Sequence, residues 1–209
     1  MRLIGERIIQ GYLKAIRPVE SGLTILKIHP NMITWAGLIV TILAANFFRL
    51  GHFLLGGIFV VLAGTCDVLD GRIARNTGQK SNFGAFLDST IDRYSDVLLF
   101  IGLMIYFNVL YINVLIMMAI TGSLLTSYAR ARAEGLGIEC KVGLMQRPER
   151  ISYIAAAALF DGLFGASLTK LIGIEHFLVI AILWFVAIMS NITVLQRIVH
   201  MKKLLQESK

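Results

Sequence analysis

Charge is scarce in this chain. Only 16% of its 209 residues are charged and just 13 are acidic, where about a quarter of a soluble domain is normally charged. So few ionic groups cannot clothe a soluble globule, and the mean hydropathy of +0.74 excludes that class independently. Cysteine is scarcer still. Cys66 and Cys140 show no pair spacing that suggests a disulfide framework or a thiolate metal site, and both read as packing residues. Internal repeats and low-complexity tracts are absent. So is the period-2 alternation of barrel strands, which removes the β-barrel as a way of crossing a membrane. Residues 1–30 lack the continuous apolar stretch and small-residue cleavage site of a removable leader, so the first span is expected to act as its own signal.

What the chain has instead is apolar length. Hydrophobic residues make up 56% of it, in runs near or above the roughly 20 residues that cross a bilayer. Six spans are expected, at 31–49, 53–75, 83–107, 109–134, 148–168 and 175–199, all helical because lipid offers backbone groups no outside partner. The fold class is therefore all-α: a polytopic membrane protein of six transmembrane helices behind an N-terminal amphipathic helix. One domain, 1–209, accounts for the whole, with 1–28 as helix and linker and 29–204 as the core. Residues 1–17, "MRLIGERIIQGYLKAIR", suit a helix lying on the membrane interface or an ordinary helix packed on loops. In "HPNMIT", Pro30 and a capping-type Asn31 open the first span.

The net charge of +7 reports topology rather than nucleic-acid binding. Arg2, Arg7, Lys14, Arg17 and Lys27 precede the first span. Arg72, Arg75 and Lys80 surround the connection between spans 2 and 3, and Arg130, Arg132, Lys141, Arg147 and Arg150 that between spans 4 and 5. Lys202, Lys203 and Lys209 close the chain, while the opposite connections hold only Arg49 and Lys170. The positive-inside rule puts both termini, and those two basic connections, in the cytoplasm.

Against this background the segment 67–96, "DVLDGRIARNTGQKSNFGAFLDSTIDRYSD", holds five aspartates. Asp67, Asp70, Gly71 and Ala74 share one stripe of a helix; Asp88, Asp92 and Asp96 share another. The short connection between spans 2 and 3 brings the two stripes face to face. Asp67 lies about 12 Å inward of Arg75 at ~1.5 Å per residue, inside the membrane but within reach of the cytosol. Carboxylates so placed repel one another and cost a few kcal/mol each. Arg72, Arg75 and Arg93 offer one remedy as ion pairs. Divalent cations suit four carboxylates on two facing helices better, and hard oxygen ligands favour Mg²⁺, Ca²⁺ or Mn²⁺. Two such ions would make a phosphoryl-transfer site.

Asp67-x2-Asp70-Gly71-x2-Ala74-Arg75-x8-Gly84-x3-Asp88-x3-Asp92 resembles, at every fixed position, the signature of the CDP-alcohol phosphotransferase family. The resemblance implies six transmembrane helices, a homodimer, and transfer of a phosphatidyl group from a CDP-linked lipid (CDP-diacylglycerol or CDP-archaeol) to an alcohol, with release of CMP. It implies Asp67, Asp70, Asp88 and Asp92 at two Mg²⁺ or Mn²⁺ ions, and Asp92 as general base. It further implies CDP-lipid contacts from Gly71, Ala74, Arg75, Ser81 and Gly84. Gly71 and Ala74 equally suit close helix packing. Asp96 lies outside the signature and reads as a structural partner of Arg93 or of a neighbouring helix.

The acceptor is read from 127–151, "SYARARAEGLGIECKVGLMQRPERI". Its arginines suit a phosphorylated alcohol, because guanidinium forks bind phosphate bidentately. The stretch resembles prokaryotic phosphatidylinositol-phosphate synthases, which implies that Ser127, Arg130 and Arg150, with Arg197 on the last helix, bind the phosphate of inositol phosphate. Two departures, Arg130 for a frequent Lys and Gln146 for a frequent Glu, leave a phosphate pocket possible, and glycerol 3-phosphate is the alternative acceptor. An ion or proton transporter would show broken helices or repeated halves. A cation-binding scaffold would not need Gly71, Ala74 and Arg75 at fixed spacing. The expected location is the cell membrane, with the active site facing the cytoplasm.

Overall fold

A computed structural model describes residues 6–207, and among these it contains seven helices and no strand. One compact unit, running to Tyr106, comprises α1 (Glu6–Ile25), α2 (Pro30–Arg49), α3 (Phe53–Asn76) and α4 (Asn82–Phe107). A second, from Phe107 onward, comprises α5 (Leu110–Glu134), α6 (Arg147–Ile172) and α7 (Phe177–Glu207). Residues 1–5 of the expected N-terminal helix, and Lys209, lie outside the described residues.

Five helices, α2, α3, α5, α6 and α7, are long and apolar enough to cross a membrane. Side chains such as Trp35, Ile39, Val114 and Met117 point outward from them, an aggregation hazard in water but a match for lipid. The chain is a multi-pass membrane protein. The third expected span, 83–107, corresponds to α4, which has the length, at 26 residues. Asp88, Asp92, Arg93 and Asp96 interrupt its apolar run, so composition alone does not count it as a span.

In the first unit α2 packs along α3, and α1 lies against α3. Gly102 of α4 meets the main chain of α2, where a Cβ would stand 2.9 Å from the Cα of Ala45 and closer to its carbonyl oxygen. That backbone-to-backbone approach is the packing membrane helices use when burial in lipid supplies no hydrophobic drive. The first turn of α2 differs from expectation. His29, not Asn31, is the N-cap, its Nδ1 accepting from the Asn31 N–H at 3.2 Å, and Pro30 occupies the position where a missing N–H costs nothing.

The N-terminal helix also runs further than expected, through Pro18 to Ile25. Tertiary contacts override the proline. Ile16 is buried with Ile33, Leu69 and Ile73, and Tyr12, Leu13 and Leu23 pack on that cluster. Tyr12 Oη donates to Thr65 Oγ1 at 2.8 Å. Beyond the proline, buried Glu20 accepts from Arg72 Nε at 2.7 Å and Asn76 Nδ2 at 2.6 Å. The apolar face of α1 is thus turned onto α3.

In the second unit α7 packs against both α5 and α6, and Tyr153 of α6 meets Phe185 of α7 edge to face. Residues 142–145 of the α5–α6 connection form a strap along α7. Met145 N donates to Thr193 Oγ1 at 2.9 Å and Leu144 N to Gln196 Oε1 at 3.2 Å. Gly143, just before them, has φ +130°, with Thr193 crowding the space a Cβ would take, so only glycine lets the strap lie flat. At the other end of this unit, buried Asp161 of α6 pairs with His176, just before α7.

Candidate active site

The three-residue spacing of Asp67 and Asp70 puts both on one side of α3, and Asp88 comes to them from α4. One carboxylate oxygen from each lies within 4.8 Å of the other two. Asp70 is buried and its two neighbours are half-buried. Two like unit charges at that separation repel by roughly 3–4 kcal/mol at an effective dielectric near 20, so the triplet requires positive charge. Asp92 stands one turn beyond Asp88 on α4, half-buried, and is not part of the triplet.

Two of the nearby arginines are engaged elsewhere. Arg72 is committed to Glu20, and Arg93 donates to the carbonyl of Ser89. Asp96, one turn beyond Asp92, is buried. Arg75 is exposed, and its guanidinium folds back over Gly71, where a Cβ would meet Nη1 at 3.4 Å. The donor set is three hard carboxylate oxygens with no sulfur or imidazole among them. It fits Mg²⁺ or Mn²⁺, which take oxygen ligands and keep waters beside phosphates.

Around the triplet, Ala74 is half-buried further along the α3 stripe. Ser81 caps α4, its Oγ accepting from Gly84 N at 2.9 Å, and still has a proton to donate. A Cβ on Gly84 would lie 3.0 Å from that oxygen and 3.2 Å from Asn31 Oδ1, so glycine keeps this corner open. Thr34 of α2 was not foreseen. Its Oγ1 donates to Asp70 Oδ2 at 2.7 Å.

The expected anion-binding residues all belong to the second unit. Ser127 and Arg130 are half-buried, one turn apart on α5, and Arg130 Nε bonds Glu134 Oε1 at 2.8 Å. Arg150 in the first turn of α6 and Arg197 of α7 are almost wholly buried, at 1% and 3% exposure. Arg150 Nη1 approaches the Met145 carbonyl at 3.4 Å. Arg197 Nε donates to Val142 O at 2.9 Å and its Nη1 to the Thr126 carbonyl. Arg130 and Arg150 each lie near enough to Arg197 for their charges to oppose its own. Arg150 and Arg197, both buried and bonded to backbone carbonyls, have the forked charged donors that suit an anion. Nearby in the connection, Lys141 bonds Glu139 and by that bond and its charge holds the carboxyl below its ordinary pKa.

The chain is similar to known proteins over most of its length. Residues 27–189 match the CDP-alcohol phosphatidyltransferase family. The chain is 32% identical over 206 residues to the phosphatidylinositol phosphate synthase of Cutibacterium acnes, covering 95% of this chain and 97% of that one. It is 36% identical over 201 residues to the archaetidylinositol phosphate synthase of Pyrococcus horikoshii, covering 92% and 95%. Its fold is similar to that of the Mycobacterium tuberculosis phosphatidylinositol phosphate synthase PgsA1, at 28% identity. With CDP-DAG bound, that structure aligns at TM-score 0.72 over 87% of this chain and 90% of that one. In complex with manganese and citrate it aligns at 0.75 over 87% and 86%.

Proposed function

The chain belongs to the CDP-alcohol phosphatidyltransferase family, and from that premise we propose that it makes an inositol phosphate lipid. A CDP-linked lipid, CDP-diacylglycerol or CDP-archaeol, is the donor; the hydroxyl of inositol phosphate is the acceptor; CMP leaves. The observation that carries the reading is the meeting of three carboxylates from α3 and α4 within 4.8 Å, inside the spacing that marks the family. The relatives named for inositol phosphate lipids support the acceptor, as do the three arginines of the second unit. A transporter needs neither feature.

Asp67, Asp70 and Asp88 hold the metal centre, with Asp92 beside it. When bound, two Mg²⁺ or Mn²⁺ ions supply charge neutralisation of the donor's pyrophosphate and of the departing CMP. Asp92 takes the proton of the acceptor hydroxyl as that oxygen bonds to the lipid-bearing phosphorus. The bond from that phosphorus to CMP breaks, and its electron pair leaves with the nucleotide. Gly71, Ala74 and Gly84 leave space for the CDP moiety, while Arg75 and Ser81 contact it. Ser127, Arg130, Arg150 and Arg197 bind the acceptor's phosphate and so select a phosphorylated alcohol over a free one.

In this reading residues 1–209 act as one membrane domain in which α4 is the third of six spans and α1 lies along the interface. It is a homodimer of the cell membrane, with its termini and active site on the cytoplasmic side, as the distribution of Lys and Arg favours. The test offers purified protein labelled CDP-diacylglycerol with inositol 1-phosphate, glycerol 3-phosphate, free inositol or serine. Conversion with inositol 1-phosphate is expected. Conversion with glycerol 3-phosphate alone would reassign the acceptor, and conversion with free inositol or serine alone would remove the phosphate pocket.

A further inference from the structure

We propose that Thr34 is a positioning residue for the metal centre: its hydroxyl holds the carboxylate of Asp70 from a neighbouring helix. The proposal rests on the reading of Asp67, Asp70 and Asp88 as that centre. Asp70 is the buried member of the triplet, at 4% exposure, and Thr34, at 7%, is buried with it. Their 2.7 Å separation is that of a well-formed hydroxyl hydrogen bond.

A threonine inside a helix ordinarily gives its proton to the carbonyl four residues back. Thr41, Thr65 and Thr121 do so here, at 2.9, 2.8 and 2.8 Å. Thr34 stands 3.3 Å from the equivalent carbonyl, that of Pro30, and has one proton to give. The shorter contact, with the Asp70 carboxyl, takes it. The bond crosses from α2 to α3, so it fixes the Asp70 rotamer from outside the helix that carries the aspartate. Ligand carboxylates are held by such outer partners, whose loss typically weakens metal affinity about 10–100-fold.

Mn²⁺ binding to the purified full chain, read by electron paramagnetic resonance without substrate, tests this on wild type, Thr34→Val and Thr34→Ser. Thr34→Val keeps the shape and removes the donor, and about 10-fold or weaker Mn²⁺ binding is expected, with turnover recovering as Mn²⁺ is raised. Thr34→Ser restores the hydroxyl and with it near-wild-type affinity. Wild-type affinity in Thr34→Val would overturn the proposal and make the hydroxyl a packing feature. If Thr34→Val does not fold, Thr34→Ala carries the same expectation and the same refutation. A wild-type chain that binds no Mn²⁺ would instead overturn the metal centre itself.

Discussion

Removing the Glu20 carboxylate should loosen the first unit where α1 is tied to the site-bearing end of α3. Glu20 is 5% exposed and accepts two hydrogen bonds, from Arg72 and Asn76. Taking one partner from a fully buried ion pair costs about 3–5 kcal/mol. The Arg72 side chain is 28% exposed and Asn76 lies at the surface, so both can rehydrate in Glu20→Ala. That lowers the expected loss to about 2 kcal/mol. For a chain of this size, ~2–4 °C per kcal/mol turns that loss into a fall of about 4–8 °C in the thermal midpoint in detergent. Glu134→Ala is the control. Its ion pair with Arg130 has both side chains more than 40% exposed, and such pairs contribute only about 0–1 kcal/mol. If Glu20→Ala shifted the midpoint no more than Glu134→Ala, the α1 tie would not be a stabilising contact.

Other variants address the chemistry and the packing. Asp92→Asn should abolish CMP release while CDP-lipid binding, measured directly, persists; turnover at the wild-type rate would remove Asp92 as base. Arg150→Lys should raise the KM for inositol phosphate by ~10-fold or more, since it gives up a fork of charged donors. The donor KM should hold, and an equal rise in both would argue against a phosphate pocket. Gly102→Val should lower the thermal midpoint by the equivalent of at least about 1–3 kcal/mol, because a side chain there meets the Ala45 backbone; an unchanged midpoint would contradict the close α2–α4 approach.

The carboxylate triplet was legible because helical geometry turns spacing into position. Residues three and four apart share a face, and a short connection forces two helix ends together. Clustering of arginines in the second half was legible for a similar reason. What was hidden depends on partners distant in sequence. Nothing in "NMITWAG" shows that the Thr34 hydroxyl leaves its own helix for Asp70, since a mid-helix threonine usually bonds within the helix. Glu20 reads as a solvated charge until its contacts with Arg72 and Asn76 are seen. The persistence of α1 through Pro18 was illegible because proline argues for a break and only tertiary contacts outweigh it. Arg72 and Arg93 looked available to neutralise aspartates, but their hydrogen bonds go elsewhere. The helix α4 lacks a clean span signal because the residues that interrupt its hydropathy are the acidic ones of the candidate site.

The most direct test is CMP release by the purified wild-type chain from CDP-diacylglycerol and inositol 1-phosphate, before and after EDTA, with divalent ions then returned. Activity should vanish on chelation, return with Mg²⁺ or Mn²⁺, and stay absent with Zn²⁺, which favours nitrogen and sulfur ligands. Undiminished CMP release in EDTA would contradict the assignment of Asp67, Asp70 and Asp88 as a cation centre.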